Sequence, residues 1–218
     1  MFLLFLFLTE IMKGFYQEGS NMNKIKKSHD KDQKFLNKIA FLESKQRESI
    51  LPPEMLIDEM PIHENHTLLD IGAGSGFFTI PMAKKTKETV YALDFDSRML
   101  NVISEKAIKE DLQNIKLIES TIEALSLEDE SIDFIMASLM LHEVESLSKV
   151  LSKLYEVTKI GGHLLCLEYE KDEKIIEGPP MDIRISSTDL EQSLLNSGFK
   201  STKITRINDS IYTILAKK

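Results

Sequence analysis

An acidic residue and three glycines follow a short apolar run in the first half of the chain. They come directly after residues 67–69, at Asp70, Gly72, Gly74 and Gly76. The apolar run predicts a strand, the glycines predict a tight turn, and the residues after them predict a helix. Because glycine has no Cβ atom, a ligand can come close to the backbone of such a turn. The spacing therefore indicates a site for a nucleotide-like ligand.

A second acidic residue, Asp94, ends the next predicted strand. It lies about 20 residues past the glycines, where a nucleotide-binding βαβ unit carries a carboxylate. The two oxygens of this side chain can accept hydrogen bonds from both ribose hydroxyls, and their charge disfavours a 2′-phosphate. The alternative role for Asp94 is a helix N-cap, which Asp96 or Ser97 could supply instead.

The spacing of the glycines separates two classes of nucleotide-binding protein. In the dinucleotide fingerprint the third glycine would stand at Phe77, but here it comes one residue earlier. The pattern D-x-G-x-G-x-G resembles motif I of the class I S-adenosylmethionine (SAM) dependent methyltransferases. Tyr155 and Lys159 have the spacing of the catalytic pair of short-chain NAD oxidoreductases. They precede the fifth predicted strand without a serine partner that can be placed, so that class is disfavoured.

The resemblance implies SAM as the cofactor and a set of binding residues. Asp94 would hold the ribose, and Phe95 and Met99 would flank the adenine ring. The family often has Asp where this chain has Thr121, so that residue, Glu123 or a backbone carbonyl must contact the adenine amino group. The cofactor-binding residues that the resemblance implies are Asp70, Gly72, Ala73, Gly74, Gly76, Asp94, Phe95, Met99, Thr121, Ile122 and Ser138.

Three further segments resemble a bacterial and archaeal subgroup of type 11 methyltransferases. This subgroup is related to the ubiquinone and menaquinone biosynthesis methyltransferases. The resemblance implies methyl transfer to an unidentified small-molecule acceptor. The alternatives are a SAM-binding protein without catalysis, or a methyltransferase that acts on protein or RNA. The segments are 42–54, which includes Arg47, then 141–144, and 168–180.

His142 and Glu143 follow the fourth predicted strand and are the candidate catalytic residues. The methyl group of SAM is already activated, so the enzyme mainly positions the reactants and excludes water. A base is needed only for a protonated acceptor, and histidine titrates near neutral pH. Glu143 could orient the histidine, act itself or point away. His142 could instead only cap the end of the strand or pack under the lid. We expect no metal site, since His63 and His66 lie alone in a polar loop.

The order of the predicted elements indicates an α/β fold. Alternating strands and helices predict a parallel sheet with helices on both faces. The resemblance implies a Rossmann-like, seven-stranded, mostly parallel sheet with a C-terminal antiparallel hairpin and an N-terminal helical lid. We expect strands at 67–71, 89–94, 115–119, 132–138 and 162–169, helices at 77–86, 97–110, 147–158 and 187–197, and a hairpin of 199–207 and 210–216 around a two-residue turn.

Composition limits the partners that the protein can have. The net charge of −8 argues against a partner held by phosphate electrostatics, so we expect no DNA. The apolar run 2–8 is far shorter than the roughly 20 residues of a membrane helix, so we expect no membrane span. It also lacks the basic start of a signal peptide, which favours a cytoplasmic protein. The single cysteine, Cys166, excludes a disulfide within the chain. Nothing indicates an oligomeric state.

The chain is predicted to have three parts. Residues 1–21 are interpreted as a translated leader or a disordered tail, because Glu18-Gly19 can be encoded by a purine-rich run like a ribosome-binding site upstream of Met22. Residues 22–60 are predicted to form a polar tail and the lid helices. Residues 61–218 are predicted to form the SAM-binding methyltransferase domain.

Overall fold

The computed structural model describes residues 32–176 and 178–218. The chain divides into two units, one ending at Ser44 and the other running from Lys45 to Lys218. In the first unit, residues 32–42 form a helix (α1). The predicted leader, 1–21, and the tail before residue 32 lie outside the described residues. The second unit carries the sheet and all of the candidate site residues.

The second unit is a sheet with helices. None of the helices in the described residues is long and apolar enough to cross a membrane. The strands are β1 Leu68–Ile71, β2 Val90–Asp94, β3 Ile115–Glu119, β4 Ile132–Ser138, β5 Thr158–Tyr169, β6 Lys200–Arg206 and β7 Ile211–Lys217, and the helices are α2 Lys45–Ile50, α3 Pro53–Asp58, α4 Thr79–Lys85, α5 Ser97–Lys109, α6 Leu147–Val157 and α7 Ser187–Asn196.

The seven-stranded sheet has the order β3-β2-β1-β4-β5-β7-β6. Strands β1 to β5 pair in parallel, and β7 pairs antiparallel with both β5 and β6. The predicted α/β fold with its C-terminal hairpin is therefore confirmed. From β1 the chain continues to β2 and β3 on one side of the sheet. After β3 it crosses back to β4, which lies on the other side of β1. Ligands bind at the carboxyl ends of the strands on either side of such a reversal.

The parallel strands β1, β2 and β4 are mostly buried on both faces, as expected for strands covered by helices, whereas the edge strand β3 is partly exposed. Alternate residues of β4 enter two different apolar clusters because side chains alternate along a strand. Phe134 and Met136 pack in one cluster with Met82 of α4. Ile135 and Ala137 pack in the other. This double-sided core fixes the carboxyl end of β4 between the two layers of helices.

Two features differ clearly from the prediction: the start of β5 and the length of the hairpin turn. Strand β5 begins at Thr158, which pairs with Ile132, whereas the sequence predicts a strand that begins only at Gly162. An irregularity in the pairing accommodates Gly161, whose φ is 83°, so the strand continues through it. The hairpin turn is longer than two residues because the Asn208 side chain accepts hydrogen bonds from the N–H groups of Ser210 and Ile211.

Candidate active site

The glycine turn after β1 has a backbone that favours glycine at three positions. The φ angles of Gly72, Gly74 and Gly76 are 64°, 53° and 85°. A Cβ atom on Gly72 would lie 3.0 Å from Met140 Cβ, and one on Gly76 would lie 3.0 Å from Ile103 Cγ1. The turn therefore packs closely between α5 and the segment after β4, and the glycines are needed for space as well as for conformation.

Asp94, at the carboxyl end of β2, holds the glycine turn in place. Its Oδ2 accepts a hydrogen bond from Gly74 N at 2.8 Å, and its Oδ1 accepts one from Asp96 N at 2.9 Å. Because each carboxylate oxygen has two lone pairs, each can accept one more donor. The alternative role of helix cap belongs to Asp96, whose side chain accepts a hydrogen bond from Arg98 N. Asp94 is thus free of the capping role and suited to a ligand with two hydroxyl groups.

Asp70 lies at the carboxyl end of β1, two residues before the first glycine of the turn, and is 2% exposed. Burial raises the pKa of its carboxyl group to about 7, although a 2.6 Å hydrogen bond from Thr79 Oγ1 and the charge of Arg47 favour the ionised form. Arg47 comes from α2 and lies over the ring of Phe77, with its guanidinium carbon 4.1 Å from the ring centre. A residue of the predicted lid segment therefore contributes to the charge balance at this edge of the sheet.

The residues predicted to contact adenine have very different exposures. Phe95 is 65% exposed and directly follows Asp94. Met99 is 0% exposed and Ile122 is 4% exposed. Thr121 is exposed and directly precedes the short 3₁₀ helix Ile122–Ala124. Of these four, Phe95 and Thr121 present side chains at the surface, and all four stay predictions as adenine contacts.

The carboxyl end of β4 combines an unpaired hydroxyl group with an unusual backbone. Within the described part of the chain, the buried Oγ atoms of Ser138 and Ser75 have no hydrogen-bond partner. Leu139 has a φ of 54°, which is uncommon for a residue with a side chain. Unsatisfied buried hydroxyls and strained backbone both cost free energy, and both occur preferentially at ligand sites. Ser138 was predicted from the sequence, whereas Ser75 was not.

His142 lies in a 3₁₀ helix, Leu141–Glu143, just beyond β4. Its Nδ1 atom is 2.6 Å from Oε2 of Glu168, and the other oxygen of Glu168 accepts a hydrogen bond from Leu141 N at 2.8 Å. Glu143, for which orienting the histidine is one of the predicted alternatives, has Oε1 at 3.9 Å from His142 Nε2. That separation is too long for a hydrogen bond. Glu168 is therefore the hydrogen-bonded partner of the imidazole.

The charges around His142 act on its pKa in opposite directions. Burial lowers the pKa, but the hydrogen bond and the charge of Glu168, together with the charge of Glu143, more than offset this effect. Arg184 acts weakly in the other direction. The net result is a pKa above the ordinary histidine value, and the imidazole can accept and release a proton near neutral pH.

A separate polar network lies just after the carboxyl end of β5. Glu170 accepts hydrogen bonds from the backbone and hydroxyl of Ser187 and pairs with Arg206 at 3.0 Å. A surface cavity of about 500 Å³ lies beside these three residues.

In the described residues, no group of three or more His, Cys, Asp or Glu side chains could hold a metal ion. Nδ1 of His66 instead accepts a hydrogen bond from His63 N at 3.3 Å.

The fold and the residues at the carboxyl ends of β1 and β2 define a class of protein. A glycine turn after β1, a carboxylate at the end of β2 and a sheet that ends in an antiparallel hairpin are the features of class I SAM-dependent methyltransferases. Residues 69–166 match the family described as "Methyltransferase domain". The cofactor of this class is S-adenosylmethionine, and the turn geometry and the acceptor atoms of Asp94 fit it.

Individual relatives agree with this class. The Ubiquinone/menaquinone biosynthesis C-methyltransferase UbiE of Brucella anthropi is 38% identical over 110 residues, which cover 49% of this chain and 42% of that relative. The protein of the same name from Rickettsia prowazekii is 34% identical over 113 residues, covering 49% of this chain and 46% of that relative. The match thus spans less than half the length of either curated relative.

A solved structure extends the likeness over most of the chain. The crystal structure of a SAM dependent methyltransferase from Aquifex aeolicus has a TM-score of 0.75 and 28% sequence identity. It covers 83% of this chain, and this chain covers 96% of that structure. Over this length the chain is similar to the class I SAM-dependent methyltransferases, in agreement with the matched family segment and the curated relatives.

Proposed function

We propose that this protein transfers a methyl group from S-adenosylmethionine to a small-molecule acceptor. The observation that carries the proposal is the Asp94 carboxylate, which holds the glycine turn and keeps lone pairs for two further donors. When bound, SAM supplies a methyl group on a positively charged sulfur, which is activated toward displacement by a nucleophile. The protein then has to bind both reactants, orient them and exclude water.

Each cofactor role falls to a residue at the carboxyl ends of β1, β2 and β4. Asp94 would accept hydrogen bonds from the ribose hydroxyls, and the exposed ring of Phe95 would pack against the adenine. Asp70, whose pKa is raised to about 7, would be drawn into its ionised form by a positively charged cofactor. The hydroxyl of Ser138, which has no partner within residues 32–176 and 178–218, is available to bound polar groups.

The acceptor is proposed to be an aromatic small molecule. Both curated relatives named above carry names of ubiquinone and menaquinone biosynthesis. The net charge of −8 disfavours an RNA acceptor. His142 would accept a proton from an acceptor that reaches the site protonated. A cytoplasmic location is part of the same proposal, and it is supported by a lone, buried and free cysteine, Cys166.

The proposal is tested by the release of S-adenosylhomocysteine from SAM when an acceptor is added. We would use 1,4-dihydroxynaphthalene, a reduced naphthoquinone with open ring positions, as the first acceptor. Asp94→Asn removes the charge that would hold the ribose, and a hydrogen bond to a charged group contributes about 1.5–3 kcal/mol. Loss of two such bonds corresponds to more than about 100-fold weaker SAM binding.

The matched control for this experiment is Asp96→Asn. Asparagine caps a helix as well as aspartate does, so α5 is preserved, and the substitution changes the same charge two residues away. We expect the control to bind SAM like the unaltered protein. Equal binding by the Asp94 and Asp96 variants would contradict the proposed cofactor site. Tight SAM binding without product from aromatic, protein or RNA acceptors would instead indicate a SAM-binding protein without catalysis.

A further inference from the structure

We propose that Glu168 is the positioning residue for His142: it holds the imidazole with Nδ1 protonated and leaves Nε2 to accept a proton from the methyl acceptor. This inference rests on the proposed function, because it assigns a partner to the base of the same site. Glu168 lies 26 positions along the chain from His142 and at the end of a different strand. The pairing therefore exists only in the folded protein.

The contacts of Glu168 determine which nitrogen of the histidine carries the proton. An ionised carboxylate has acceptors only, so an imidazole nitrogen at 2.6 Å from it must donate. Nδ1 therefore carries a proton, and in the neutral ring Nε2 is the acceptor. The second oxygen of Glu168 accepts from Leu141 N and fixes the backbone that carries the ring. One carboxylate thus sets both the tautomer and the position of His142.

The position of the pair in the sheet favours a role in the site over a purely structural one. Ser138, at the end of β4, pairs with Leu167 on β5, so Glu168 is the next residue toward the carboxyl edge. The side chain of Glu168 is only 1% exposed, and that of His142 is 6% exposed. Burying a carboxylate is costly unless it is paired, and replacing such a pair by apolar residues is often neutral or stabilising. The pair lies beside the strained Leu139.

The proton transfer balances in charge and in bonds. The bond between the proton and the acceptor atom breaks, its electron pair stays on the acceptor, and a new N–H bond forms at Nε2. The imidazolium that results carries one positive charge, which the negative charge of the neighbouring Glu168 carboxylate balances. The charged groups that face the ring are Glu168, Glu143 and Arg184. Two carboxylates against one guanidinium favour the protonated ring, and water later removes the proton.

The first test observes the histidine itself and requires neither SAM nor an acceptor. The full chain has five histidines, so ¹⁵N NMR of labelled protein can follow each ring, and His142→Asn assigns the signals of His142. We expect the neutral ring to be protonated at Nδ1 and its titration to lie above that of an ordinary histidine. Glu168→Gln should lower the pKa of His142 and mix the two tautomers.

Glu143→Gln is the matched comparison because it removes the same charge from the other side of the ring. Its carboxylate is 64% exposed and 3.9 Å from Nε2, so it should lower the pKa of His142 by less and leave the Nδ1 tautomer unchanged. An unchanged His142 titration in Glu168→Gln, or a larger change in Glu143→Gln, would overturn the inference. A thermal unfolding midpoint that is unchanged in both variants would show that the effect on His142 is local.

The second test separates positioning from binding. With SAM and 1,4-dihydroxynaphthalene, Glu168→Gln should lower kcat by about tenfold or more and leave the acceptor KM nearly unchanged. The loss should not exceed the roughly 10²–10⁴-fold that a general base contributes. The midpoint of the acidic limb of kcat against pH should move down with the pKa of His142. A kcat that falls by the same factor at every pH, with no movement of the midpoint, would overturn the inference. If SAM does not bind at all, the proposed function fails first, and the role of the pair fails with it.

Discussion

Asp70 links the stability of the protein to pH, and Asp70→Asn should remove that link. The carboxyl group is 2% exposed, and burial raises its pKa to about 7 from the ordinary value of 3.8. Asparagine has the same shape, stays neutral at all pH values and can still accept the hydrogen bond from Thr79 Oγ1. The substitution therefore changes the charge at this site and little else.

The size of the effect follows from the raised pKa. A group with a higher pKa in the folded state contributes stability that is complete at low pH and is lost as the pH rises through the folded-state value. One pKa unit corresponds to about 1.4 kcal/mol, so ionised Asp70 costs the folded state about 4 kcal/mol above pH 7. About 1–2 kcal/mol of this cost is already present at pH 5, which leaves about 3 kcal/mol to develop between pH 5 and pH 8.

The assay is urea unfolding of both proteins at pH 5 and at pH 8. We expect Asp70→Asn to gain about 3 kcal/mol relative to the unaltered protein over this interval, and to be the more stable of the two at pH 8. Asp129→Asn is the matched control because that carboxylate lies exposed in the turn before β4. A free-energy difference between the unaltered protein and Asp70→Asn that is the same at both pH values would refute the reasoning.

Three further predictions concern packing, reactivity and binding. Gly161→Ala should cost about 1–2 kcal/mol in urea unfolding because its φ is 83° but a Cβ there meets nothing within 4 Å. Gly76→Ala, with a similar φ, should cost about 1–3 kcal/mol more because its Cβ would lie 3.0 Å from Ile103, and equal costs would contradict the packing argument. The Cys166 thiol is fully buried and its pKa is raised, so an aromatic disulfide reagent should label it only in denaturant; rapid native labelling would contradict its placement. Phe95→Ala should weaken SAM binding by about 1–3 kcal/mol in calorimetry yet barely change stability, because the ring is 65% exposed; unchanged affinity would exclude stacking on this ring.

Much of the fold could be predicted from local pattern. The apolar runs that become β1 to β4 are continuous and bounded by polar or glycine-rich segments, so their strands begin and end close to the expected residues. The glycine turn and Asp94 could be found because their spacing is fixed within one βαβ unit, and the structure joins them through the hydrogen bond from Gly74 N to Asp94. Such short-range chemistry is visible in the sequence itself.

The contacts that could not be predicted cross between distant segments. Glu168 and His142 meet only because β4 and β5 are neighbours, and Arg47 reaches Phe77 only through the packing of α2. A weak signal was available, since an acidic residue at the end of β5 must lie beside the end of β4 in a parallel sheet. Met99 is fully buried on the same face of α5 as Leu100 and Ile103, and the helical spacing of these apolar residues is a signal for that burial.

The central claim is that the carboxyl ends of β1 and β2 form a SAM site, and calorimetric titration of the full chain tests it most directly. We would titrate the protein with SAM, with S-adenosylhomocysteine and with NAD under the same conditions. The account predicts binding of the first two with dissociation constants of micromolar order and no measurable binding of NAD. Binding of NAD, or the absence of heat with both SAM and its product from a folded protein, would contradict it.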